Sequence, residues 1–537
     1  MSAVRTHVCA GLLIAAFFLQ SFFASRIKSP VFDEPPHIAA GMAYLQKDNF
    51  RPNPQHPPLI KEMAAVSMLL AGIRLPQTRL AAAMLQEAPD QPYEWLVGNS
   101  LIAANGPARL LFFARLPMIC LSTLLALLIY LWGRRLTGDL AALAALLIFT
   151  LDPNLLGHSA FVTTDMGLAA FGTAFFFALW LYLQRPATAR LLLCGLAMGL
   201  ALCAKFSAVA MLPAAFAPML ASRTLGLRGV RAGRAFILRL AELAFASLAL
   251  CCIAALVMMA VYRSPAALSM YWHGITSIYA DSTPGYLYYM AGHKAERFYS
   301  YFAVAWLLKE PIAAIALVLL GSAVLLRNRS LPLLDKLFLF LPPALLFAAA
   351  TLAAHDIGIR YIIPAFPFAC LAGGAGLAGL IRRQSPWTRG LAALLVVWMV
   401  IAAAGIYPDS LSYFNEAACL LTEPAKTGWD GGSKCGPRWL DDSNVDWGQG
   451  LVQLRAWLKA HPDPRTLRMA YFGSFPPEGY GIASEPYVLR EDDQLPAPGL
   501  YAISANRVAR NGDAWPATTT PTAIVGHAIY IYDIGQP

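Results

Sequence analysis

The chain has 537 residues, of which 58% are hydrophobic and 13% charged, with a formal net charge of +10. Soluble domains carry about 25% charged residues, so this composition excludes an ordinary soluble enzyme and describes a membrane protein. The positive charge is not a nucleic-acid signature, because arginines gather in short loops between apolar runs, as the positive-inside bias requires.

The first apolar run, 8–24, reads as a retained anchor helix: no small-x-small cleavage site stands before Ser25 and Arg26. Further runs close to the ~20 residues needed to cross hydrocarbon fall at 109–132, 138–157, 162–183, 190–204, 206–222, 236–262, 302–326, 332–353, 360–380 and 391–407. That predicts about eleven spans. The 190–222 pair reads either as two short spans or as a re-entrant hairpin. Arg5, Arg134, Arg135, Arg185, Arg228, Arg231 and Arg382 fall on one side, which is therefore cytoplasmic. The opposite side receives segments 25–108 and 263–300 and everything after about residue 408.

Residues 1–407 thus form a polytopic, mainly α transmembrane helix bundle with an extracytoplasmic loop at 25–108, and 408–537 form a small extracytoplasmic α/β domain. In the latter, "LRMAYFG", "GLYAIS" and "AIYIYDI" are rich in β-branched and aromatic residues and predict strands. Leu451, Leu454 and Leu458 recur at helical spacing. Cys419 and Cys435 are the two cysteines in a polar region, and an oxidising compartment would join them. The other seven lie in apolar runs and read as small buried hydrophobes. Asp441, Asp442, Asn444 and Asp446 lack the Gly and Glu of a calcium loop, and turn and cap chemistry accounts for them.

The stretch "SPVFDEPPHIAAG" puts Asp33 and Glu34 ahead of Pro35 and Pro36, with His37 behind. Prolines suit a first helical turn and acids just before them suit its cap, which explains one acid well and two less well. The same loop carries His56 and Lys61 in "RPNPQHPPLIKEM". On the same side, Asp165, Lys205, Lys309 with Glu310, and Arg360 with Tyr361 stand at the mouths of spans. Each alone fits a snorkelling base or an ion pair within the bundle. Together they describe a cavity with an acidic and a basic wall, and ionisable groups at membrane depth point to function. Cations there can hold a lipid-linked phosphate, and a carboxylate can take the proton of an acceptor hydroxyl.

These segments resemble the GT-C membrane glycosyltransferases, in the group of the protein O-mannosyltransferases and the aminoarabinose transferase of lipid A. The resemblance is carried by "FDEPPHIAAGMAYL", "NPQHPPL", "TTDMGLAAF", "YFAVAWLLKEP", "GIRYIIPAFPF" and "DDSNVDWGQGLVQLRAWL". It implies inverting transfer of a sugar from a polyprenyl-phosphate donor to a protein, lipid or glycan acceptor, at the outer face of the cytoplasmic membrane. By residue, it implies Asp33 as general base with Glu34 as its acidic companion. It also implies Lys205, Arg360 and His56 at the donor phosphate, and Asp165 near the sugar; His37, Tyr361 and Lys309 are expected to line the same pocket. Gln55 stands where relatives often have a metal-ligating glutamate, so a divalent ion is left open, and His56 reads equally as a metal ligand. Pro36 and Glu310 depart from the aminoarabinose enzymes and speak against that reaction. Two rivals remain: a lipid flippase without chemistry, which would favour inverted repeats that the chain lacks, and a ligase using a diphosphate oligosaccharide.

Overall fold

Hydrocarbon offers the backbone no hydrogen bonds, so an apolar run crossing it must coil on itself, and all eleven predicted runs are helical in the computed structural model. It describes residues 3–86, 92–224, 232–280, 285–383, 385–512 and 514–535; Arg228 and Arg231 lie outside them. Among the described residues, seven helices are long and apolar enough to cross a membrane, and one bent pair would make an eighth. The chain is a multi-pass membrane protein. Three predicted spans contain only short apolar helices, of 10–17 residues: Asp139–Leu151, Thr188–Ala204 and Phe206–Ser222. The first stops where Pro153 opens a new turn capped by Asp152, whose carboxylate accepts from the N–H groups of Asn154 and Leu155.

The run 302–326 is not one straight helix. Tyr301–Lys309 and Ile312–Arg327 meet at 111°, because Pro311 lacks the N–H that would continue the ladder. Elsewhere, helix packing depends on close approach rather than on hydrophobic drive. A Cβ on Gly321 would lie 1.8 Å from the Ala372 carbonyl oxygen, and one on Gly376 would lie 2.5 Å from that of Leu317. The apolar cysteines divide: Cys194, Cys203 and Cys370 are buried as expected, while Cys120, Cys251 and Cys252 are exposed on the outer faces of their helices.

The loop between the first two long helices is itself helical. Glu34–Lys47, Leu59–Leu70 and Tyr93–Ala104 each begin at a proline, and the first packs against the other two. Gly98 allows the third to touch the start of the first, since a Cβ there would sit 2.1 Å from the Pro35 carbonyl oxygen.

Beyond Ile406 the three predicted strands form, in a five-stranded sheet ordered Ser484–Pro486, Leu467–Ala470, Gly499–Ser504, Ile529–Ile534, Ala523–Val525. The first three run parallel and the last two pair antiparallel. The predicted helix is present as Leu451–Ala460, and Cys419 and Cys435 are joined.

A chain of buried charges ties this sheet domain to the bundle. Lys28, just past the first helix, pairs with Asp409. The other Asp409 oxygen meets His527 Nδ1 at 3.0 Å, and His527 Nε2 lies 3.1 Å from Asp430. Burial opposes charge on His527, but its hydrogen bonds to the two carboxylates outweigh that and raise it to about 9. A pKa raised on folding stabilises fully below the unfolded value, about 6.5, and the contribution fades as pH rises through 9. The melting temperature of the purified protein should therefore fall between about pH 7 and 10, and His527→Asn should flatten that slope. Equal slopes in both proteins would remove His527 from the clamp.

Candidate active site

Asp33 takes the position before helix Glu34–Lys47, yet its side chain makes no hydrogen bond to that helix. Pro35 and Pro36 have no N–H to offer, so the capping role expected of it is not made. Its carboxylate instead accepts from Arg360 Nη1 at 3.2 Å. Arg360 sits in the short 3-10 turn Ile359–Ala365 that opens a long helix, and the same Nη1 lies 3.9 Å from Asp165 Oδ2. Asp165, in the first turn of Thr164–Gln184, accepts from Lys205 Nζ at 2.5 Å. The Tyr361 ring lies under both cations, 4.4 Å from Lys205 and 5.0 Å from Arg360. Trp447, from beyond the last membrane helix, covers the Arg360 guanidinium at 4.5 Å. Cation–π contacts of this kind contribute about 0.5–2 kcal/mol each, more when dry.

Four of the expected residues, Asp33, Asp165, Lys205 and Arg360, therefore form one cluster with Tyr361. Asp33 keeps a side-chain exposure of 21%, against 0% for Asp165. Burial raises the Asp33 pKa, Arg360 lowers it and Asp165 raises it; the net shift is upward.

His56 stands beside this cluster. Its ring packs edge-on against His37 with centroids 5.0 Å apart. Burial, His37 and Lys61 hold it well below the ordinary histidine range. It is neutral at physiological pH, so it meets a phosphate as a hydrogen-bonding group and not as the expected cation. His56 also lines a cavity of about 1010 Å³ shared with Tyr44, Phe50, Arg51, Tyr262 and His273. His37 backs the site rather than lining it: it is buried, with Nδ1 2.7 Å from the Val162 carbonyl oxygen.

Glu34 is placed otherwise than expected. Each of its oxygens is saturated: Oε1 accepts from Arg115 Nε at 2.8 Å and Val162 N at 3.1 Å, Oε2 from Arg115 Nη2 at 2.6 Å and Val31 N at 3.0 Å. Arg115 gives its remaining donors to the carbonyls of Ser25, Lys28 and Ser29. No lone pair is left for a substrate, so Glu34 is a structural anchor. Arg115 went unnoticed in the sequence; its signal was an arginine inside an apolar run.

Lys309 is likewise removed from the pocket. The 111° break frees its ammonium to reach the carbonyls of Leu411, Tyr413 and Asn444 at 3.0, 2.9 and 2.7 Å, fully buried. Lys61 is also buried, donating to the Asn53 and His56 carbonyls at 2.5 and 2.7 Å and so folding the proline loop around itself. Among the described residues, no three His, Cys, Asp or Glu side chains are grouped to hold a metal ion. Gln55, an amide, is a poorer metal ligand than a glutamate.

The chain superposes on the apo crystal structure of ArnT from Cupriavidus metallidurans with a TM-score of 0.50, at 14% identity, covering 100% of both chains. The chain has the GT-C glycosyltransferase fold. A family model described as dolichyl-phosphate-mannose-protein mannosyltransferase matches residues 109–247, a segment that holds Arg115, Asp165 and Lys205. Two further similar structures are the same ArnT bound to undecaprenyl phosphate (TM-score 0.48, 13% identity, 98% of both chains) and the archaeal oligosaccharyltransferase AglB from Archaeoglobus fulgidus (TM-score 0.46, 11% identity, 88% of this chain and 64% of that one). Comparison with curated protein sequences gives no significant match.

The two adjacent acids, Asp33 and Glu34, should separate cleanly. Glu34→Gln leaves Arg115 buried without a counter-charge, which costs about 3–5 kcal/mol, so yield and melting temperature should drop. Asp33→Asn leaves Arg360 facing Asp165 at 3.9 Å, so it should cost less stability than Glu34→Gln. Thermal denaturation of both purified variants checks this; equal losses would contradict the division of roles.

Proposed function

We propose that the protein is an inverting glycosyltransferase that moves a sugar from a polyprenyl-phosphate donor to an acceptor hydroxyl, with its site at the outer face of the cytoplasmic membrane. The observation that carries this reading is Asp33: an acid at a helix start, unused as a cap and held against an arginine. The mannosyltransferase family model over residues 109–247 supports the donor class. The joined Cys419 and Cys435 support an oxidising compartment for the sheet domain, and hence the orientation.

At rest the cluster holds two acids and two cations, Asp33 with Arg360 and Asp165 with Lys205. An incoming phosphodiester offers Arg360 a planar, bidentate partner, stronger than its single 3.2 Å contact to Asp33. As Arg360 turns to the phosphate, Asp33 loses its counter-charge and its basicity rises. Asp33 then takes the proton of the acceptor hydroxyl while that oxygen attacks the anomeric carbon. The bond from that carbon to the phosphate oxygen breaks, and its electron pair leaves with the polyprenyl phosphate. Arg360 and Lys205 stabilise the departing charge. One displacement inverts the anomeric centre.

The test is transfer from labelled undecaprenyl-monophosphate sugars by the purified protein, with a diphosphate oligosaccharide in parallel. Transfer from the monophosphate alone is expected. Label that never leaves the lipid supports a flippase, and transfer from the diphosphate supports a ligase. Asp33→Asn should lose about 10²–10⁴ in turnover, and Arg360→Ala should raise the donor KM at least about tenfold, by losing a charge-assisted pair. Turnover of wild-type magnitude in Asp33→Asn would remove the proposed base.

A further inference from the structure

Residues Asp441–Gln449 come from beyond the last membrane helix and close over the cluster. The segment is locked to the bundle. Asn444 Oδ1 accepts from Ile359 N at 3.0 Å, and its amide donates to the Tyr301 hydroxyl at 2.8 Å. Ser443 Oγ donates to the Ile357 carbonyl at 2.6 Å, and Lys309 donates to that of Asn444 at 2.7 Å. The residue before Arg360 is thus held by the same segment that lays Trp447 over the Arg360 guanidinium.

Inside this frame Asp442 has φ +52°. Aspartate is among the side-chain-bearing residues that enter that left-handed region more readily. One Asp442 oxygen accepts from Ser443 N at 2.7 Å. Among the described residues no cation lies within ion-pair distance of its carboxylate, whereas Asp33, Asp165 and Asp441 each have one, in Arg360, Lys205 and Arg510. Its charge is nevertheless felt by Arg360, Tyr361 and Asp33. Burial, with Asp441 beside it, raises its pKa to about 7.

A carboxylate repels phosphate, so it cannot share the phosphate with Arg360. It is suited to the hydroxyl donors of whatever lies next to that phosphate, and in a glycosyl phosphate that is the sugar. We propose that Asp442 is a substrate-contacting residue of the transfer site, hydrogen-bonding a hydroxyl of the sugar whose phosphate Arg360 holds. The sheet domain then supplies part of the sugar pocket. This rests on the glycosyl-transfer reading above.

The test compares two probes on the full-length protein in lipid nanodiscs: undecaprenyl phosphate without sugar, and whichever undecaprenyl-phosphate mannose, glucose, galactose or arabinose the wild type turns over. Asp442→Asn should bind undecaprenyl phosphate within twofold of wild type, which also reports an intact fold. Its KM for the glycosylated lipid should rise at least tenfold. An unchanged KM for the glycosylated lipid overturns the proposal. Loss of bare-lipid binding together with turnover also overturns it, by assigning Asp442 to the fold. A wild type that neither binds undecaprenyl phosphate nor turns over any of the four lipids overturns the transfer reading instead, and the role of Asp442 with it.

Discussion

Everything at the site depends on the pair of Glu34 with Arg115. Five donors of one guanidinium and the four acceptor positions of one carboxylate are all used, mostly on backbone. The pair therefore holds the carbonyls of Ser25, Lys28 and Ser29, the turn at Val31 and the bend at Val162 in one rigid knot. Asp33 is the residue next to that knot, and its position is set by it. A buried ion pair adds little net stability by itself, because desolvation offsets attraction. Here its value is geometric: it places a neighbour that must not move.

The cluster is assembled from parts that are far apart in sequence. Asp33 comes from the first loop, Asp165 and Lys205 from the middle of the bundle, Arg360 from a late helix and Trp447 from the sheet domain. Charge balances across it, so no member is left as an isolated buried ion. An arriving anion does not find bare cations. It competes with carboxylates for them, and in the proposed reaction that competition frees Asp33 to act as base.

Much of this was legible in the sequence, and the failures have physical causes. Apolar runs were readable because lipid leaves the backbone no alternative to a helix. The break at Pro311 was missed because hydropathy averages over a single proline. The four cluster residues could be found from charge at span mouths, since water is scarce there and ions are expensive. Glu34 and Lys309 carry the same signal and do other work. Their partners, Arg115 at 81 residues' separation and carbonyls at 411, 413 and 444, leave no periodic trace. Asp442 and Asp446 do accept from the N–H groups of Ser443 and Gly448, as turn chemistry predicts. What turn chemistry omits is that the segment faces the bundle.

The Lys28, Asp409, His527 and Asp430 chain has a practical corollary. It joins the end of the first helix to a residue ten positions from the C-terminus. Reporter fusions made by progressive truncation, a common way to map which loops face which side, would all lack His527, and the shorter ones Trp447 as well. Such fragments would report the insertion of an unclamped chain. Sandwich insertions that preserve both ends are the form in which the orientation of this protein can be read in its native state.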